Sequence, residues 1–94
     1  MNYPEGFKLK VKLIYPNNNV LLMAIENGSP FVGKMLEQYS QESISNEEIL
    51  NATDLNELQT KAQVIKARRE LYKLWLSISI TENAQASSEK LSDS

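Results

Sequence analysis

Residues 7–15, Phe-Lys-Leu-Lys-Val-Lys-Leu-Ile-Tyr, decide the fold class. Phe7, Leu9, Val11, Leu13 and Tyr15 share one face of an extended chain, and Lys8, Lys10, Lys12 and Ile14 share the other. A period of two is the mark of a half-buried strand. Pro16-Asn17-Asn18-Asn19 reads as a turn, because Pro ends a strand and Asn tolerates left-handed backbone. Val20–Ile25 is apolar throughout and returns as a second strand, about 20–26. A four-residue turn sets Tyr15 opposite Val20, Leu13 opposite Leu22 and Val11 opposite Ala24. The other face then pairs Lys12 with Met23 and Lys10 with Ile25. A hairpin of two strands is marginal in water. Leu76–Thr81 also alternates and offers a third strand if the preceding helix stops near Trp75.

Helical spacing takes over after Asn27-Gly28. Ser29 suits a cap and Pro30 a first helical position. Val32, Met35, Leu36 and Tyr39 then give Pro30–Tyr39 one apolar stripe, which Gly33 weakens. Ser45 with Glu48 forms a capping box, flanked by Ile44 and Ile49 as a hydrophobic staple, and predicts a short helix over 46–52. Asp54 with Glu57 forms another and opens a long helix, about 54–78. That helix carries two stripes. Val64, Ala67, Leu71, Leu74 and Ile78 make the first; Leu58, Ala62, Ile65, Tyr72 and Leu76 make the second. Arg68 lies between them, placed to meet a carboxylate on a partner helix, with Glu70 or Glu57 as candidates. Two stripes imply cover from two sides, one of them by a second molecule.

The expected architecture is therefore α+β: an N-terminal β-hairpin on two short helices and one long helix. Residues 1–81 form a single domain, and 82–94, with one large apolar side chain, read as a disordered polar tail.

The 94 residues include no His and no Cys. This removes the commonest general base, the commonest metal ligand and every thiol nucleophile. No phosphate-cradling glycine loop is present. No cofactor, no metal and no catalytic group are expected. The net charge of −2 gives no bulk attraction to nucleic acid or anionic membrane. The longest apolar run, Val20–Ile25, is too short to span a bilayer. Residues 1–6 lack a secretory pattern. The expected setting is cytoplasmic.

Function is then expected to be non-catalytic: a small oligomerising adaptor, assembly factor or inhibitor, a dimer being favoured. The residues expected to meet a protein partner are Leu21, Met23, Ile25, Leu58, Ile65, Arg68 and Tyr72. The alternative is nucleic-acid binding through Lys8, Lys10 and Lys12, with Lys66, Arg69 and Lys73 of the long helix contacting phosphates. The simpler account of the lysine strand is protection of a sheet edge. Dipole compensation likewise accounts for the basic helix. The tail reading has a direct check. Deleting residues 83–94 should leave the melting temperature nearly unchanged, since few apolar groups are lost; a drop of several degrees in a thermal melt would show that they dock.

Overall fold

The computed structural model describes residues 3–92, with side chains through Thr81, and all five of its elements are helices. They are α1 (Glu5–Ile14), α2 (Asn19–Glu26), α3 (Val32–Tyr39), α4 (Asn46–Asn51) and α5 (Leu55–Ser92). No strand occurs among the described residues, so the β-hairpin and the α+β class are corrected to all-α.

The correction turns on periodicity. Tyr3, Phe7, Val11 and Tyr15 recur at four-residue steps, and all are buried. The alternating positions between them, Leu9 and Leu13, face solvent. Phe7, Val11 and Tyr15 thus satisfy a strand period and a helix period at once, and Tyr3 breaks the tie. Composition agrees with the helix. Lys and Leu favour it, and only Val11 and Ile14 in this run are β-branched. The second apolar run resolves the same way. Leu21 and Ile25, four apart, are buried, while Val20 and Met23 are exposed. Asn18 starts α2, its Oδ1 accepting from the Leu21 N–H at 3.0 Å. The Asn27-Gly28-Ser29 break is a helix stop. Ser29 N–H donates to the Ala24 carbonyl and Gly28 N–H to the Ile25 carbonyl. Gly28 sits at φ 64°, the left-handed backbone that this double closure requires.

At the later helix starts the Ser45 and Asp54 side chains cap as the sequence predicts. Ser45 Oγ accepts from Glu48 N–H at 3.1 Å. Asp54 Oδ1 accepts from Asn56 and Glu57 N–H at 3.0 and 3.3 Å. Residues 76–81 are helix, so the candidate third strand is corrected as well. The backbone of α5 continues past the expected stop at 78 to Ser92. Its 38 residues span about 57 Å at 1.5 Å per residue, which sets the longest dimension of 63 Å. None of the helices is long and apolar enough to cross a membrane among the described residues.

The core sits at one region of this rod. α1 and α3 pack on α5, and α2 bridges them. Phe7, Val11, Leu21, Ile25, Val32, Leu36 and Leu71 fill the interior, with Leu74, Trp75 and Ile78 partly buried against them. The first stripe of α5 is thus intramolecular over residues 67–78, whereas Val64 of the same stripe is exposed.

Trp75 closes this clasp. Its indole lies against Gly33 of α3, where an added Cβ would stand 2.6 Å from Cζ2 and 2.7 Å from Cζ3. Its Nε1–H donates to the Tyr3 hydroxyl at 2.8 Å. Gly33→Ala should therefore destabilise by about 1–3 kcal/mol, although alanine in an open helix would gain about 1 kcal/mol. The cost should shrink in a Trp75→Leu background. Chemical denaturation of the two single variants and the double variant measures this; equal costs in both backgrounds would dismiss the contact.

Candidate functional site

Arg68 anchors the first groove. Its Nη1 donates to Glu42 Oε2 at 2.7 Å, and its guanidinium carbon lies 5.0 Å from the centre of the Tyr15 ring. Arg69 Nη2 donates to the Glu42 carbonyl at 3.1 Å. The loop between α3 and α4 is thus pinned to α5 by adjacent arginines. Within the chain the carboxylate partner of Arg68 is Glu42, 26 residues away. Tyr15 stacks at a tilt on Tyr39, ring centres 5.5 Å apart. A cavity of 740 Å³ opens beside this node, lined by Pro16, Asn17, Asn18, Gln38, Gln41 and the residues just named except Arg69.

Two buried atoms here have no hydrogen-bond partner, Tyr15 Oη and Arg68 Nε. The aromatic face compensates the guanidinium. Nothing does so for the phenol. Burial pushes its pKa above the ordinary 10.0, assisted by Tyr39 and Glu42 and opposed by the Arg68 charge. Among the described residues no group of three or more acidic side chains is placed to hold a metal ion.

The second groove, 490 Å³, runs along the other side of α5. Ile44, Ala62 and Ile65 supply apolar lining, and Lys66, Arg69 and Lys73 supply cations, against the single carboxylate of Glu70. Spacings of three and four put those cations on one side of the helix. Arg69 also belongs to a longer series, in which Leu55, Leu58, Ala62, Ile65, Arg69, Tyr72 and Leu76 recur at alternating steps of three and four.

Beyond both grooves stands α4, which has no buried residue. Ile49 is 50% exposed, Leu50 83% and neighbouring Leu55 71%. Its tie to α5 is the ion pair of Glu48 Oε2 with Lys61 Nζ at 2.5 Å. That hydrogen bond holds the Glu48 carboxyl below, and the Lys61 ammonium above, their ordinary values.

The expected site residues separate accordingly. Leu21 and Ile25 are core, because α2 turns them inward; Met23 is exposed. Ile65 is buried beside the second groove, and Leu58 and Tyr72 are half-buried. Arg68 belongs to the first groove. Lys8, Lys10 and Lys12 no longer share one face: Lys8 and Lys12, four apart, stay together on α1, and Lys10 lies about 160° from both. Lys66, Arg69 and Lys73 stay together. Sequence reasoning missed Tyr15, Glu42 and the exposed pair Ile49–Leu50, although Ile49 and Leu50 stand directly behind a recognised cap. Comparison with family models, curated proteins and solved structures finds no match for this chain.

Tyr15→Phe isolates the unsatisfied phenol. Removing a buried hydroxyl without a partner should stabilise by about 1 kcal/mol at neutral pH. The folded pKa is raised, so the wild-type contribution from the neutral phenol is full below about pH 10 and is lost as pH rises through the folded value. The stability advantage of Tyr15→Phe should therefore widen above pH 10 in denaturation curves. A variant less stable than wild type at every pH would mean that the hydroxyl is satisfied.

Proposed function

We propose that this protein is a non-catalytic protein-binding module whose contact surface is α4 with the adjoining half of α5. The observation that carries the reading is that α4 buries no residue while Ile49, Leu50 and Leu55 stand in solvent. A six-residue helix does not persist on its own propensity. An exposed ion pair such as Glu48–Lys61 adds little. The apolar side chains of α4 are therefore the means by which it gains stability, and a partner surface is what they lack. Lack of His and Cys from the sequence favours a binding role over catalysis. The apolar lining and the Glu70 carboxylate of the basic groove suit a peptide surface better than a phosphate chain. Loss of Lys10 from the face that Lys8 and Lys12 share on α1 weakens the nucleic-acid alternative further.

A photo-crosslinking residue placed at Leu50, with Lys10 as control position, tests this in cells. The expected result is a discrete protein adduct from position 50 and none from position 10. A nucleic-acid adduct, or no protein adduct from position 50, would end the reading.

A further inference from the structure

We infer that the partner is a second copy of this chain, with α4 of each copy seated in the Lys66–Arg69–Lys73 groove of the other. The inference rests on the protein-binding reading and names its occupant. Two unpartnered surfaces of opposite character lie on the same molecule. One is acidic and apolar: Glu47, Ile49 and Leu50, on a helix without buried residues. The other is basic with an apolar lining: Lys66, Lys73 and the charge of Arg69, beside half-buried Ile44 and exposed Ala62, with buried Ile65 beneath.

The side chains of α4 are divided to suit this. At about 100° per residue, Glu48 points roughly 160° away from Leu50. Glu48 holds α4 to its own α5 through Lys61. The opposite arc presents Leu50 between Ile49 and Glu47, an apolar pair with a carboxylate at its edge. That order complements a groove with apolar lining and cations along it.

A chain cannot fill its own groove. Ser45 caps α4 one residue after Ile44, which lines the groove, so α4 leads away from it. Lys61, where α4 is fastened, lies about 140° around α5 from Lys66. Exchange between two copies satisfies both surfaces at once. Because groove and α4 adjoin on one stretch of α5, a two-fold axis brings each to the other and closes the assembly. Pairing through the groove faces alone would set Lys66 and Lys73 of both copies together, and like charges oppose it.

Charge exchange tests this with exposed residues that leave the core intact. Light scattering of the full chain over a range of concentrations should give twice the 10.7 kDa chain mass. Glu47→Lys and the double variant Lys66→Glu/Lys73→Glu should each weaken self-association about tenfold or more, since like charges then face each other. Mixed in equal amounts, the two should associate again, because each lysine-bearing α4 meets an acidic groove and each native α4 meets a native groove. Circular dichroism confirms that each variant keeps its helical signal. A monomeric wild type, variants that associate as wild type does, or a mixture that stays monomeric would overturn the exchange. A monomeric wild type that still cross-links to another protein from Leu50 would remove the self-pairing and leave the binding reading standing.

Discussion

The seat of Trp75 on Gly33 is the contact on which the helical clasp depends. An indole needs a wide flat space, and a helix grants one only where a side chain is missing. Gly33 supplies that gap, and the six-membered ring of Trp75 occupies it. The same indole donates its N–H to Tyr3, just before α1 begins. One side chain of α5 thereby fixes α3 at its side and the start of α1 at its edge. Tyr3 then stacks on Phe7, ring centres 5.0 Å apart, and Phe7 begins the buried series that runs through Val11 to Tyr15. The glycine that weakens α3 as an isolated helix is what lets it pack.

Along α5 the nature of the restraint changes. Near Leu71 it is apolar packing, with each buried side chain contributing on the order of 1.5–3 kcal/mol. Near Lys61 it is hydrogen bonds and ion pairs in water, which contribute far less. Regions held this way open locally at small cost. The junction is Arg68. It reaches Tyr15 in the clasp and Glu42 in the loop that leads to α4. Lysine cannot replace it, because a point charge neither stacks on a phenol ring nor forks toward a carboxylate. The more weakly held part is also where the uncovered apolar groups lie, and these two properties have one origin: α4 has no core of its own to join.

How legible this was in the sequence depends on the range of each determinant. Caps are local, and Ser45 and Asp54 form the ones their spacing predicts. The long helix and the inward first stripe at Ala67, Leu71, Leu74 and Ile78 are local too. The first helix is hidden in the sequence because Phe7, Val11 and Tyr15 fit both periods, and the deciding Tyr3 lies outside the alternating window. The groove cations were visible as i, i+3, i+7 spacing on α5. The rest was not. Glu42 meets Arg68 across 26 residues, and Trp75 meets Tyr3 across 72. No periodicity encodes a contact whose partners are brought together only by the path of the chain.

The acidic side chains complete the electrostatic account. Glu42 and Glu48 are drawn to α5 within the chain, each neutralising one of its cations at a position facing the loop and α4. Lys66 and Lys73, around α5 from Lys61 and Arg68, keep exposed charge in the second groove, and Arg69 spends one donor on a carbonyl. Glu47 keeps its charge as well, on the arc of α4 that looks outward. Intramolecular pairing has thus been satisfied first where the chain can reach. What is left over is not random in sign or place: a carboxylate beside bare leucine and isoleucine, and three cations beside a half-open apolar groove. A surface that had no further use would gain by scattering these residues, because clustered like charges repel and exposed apolar groups cost free energy in water. Their segregation makes sense when each cluster is half of a contact.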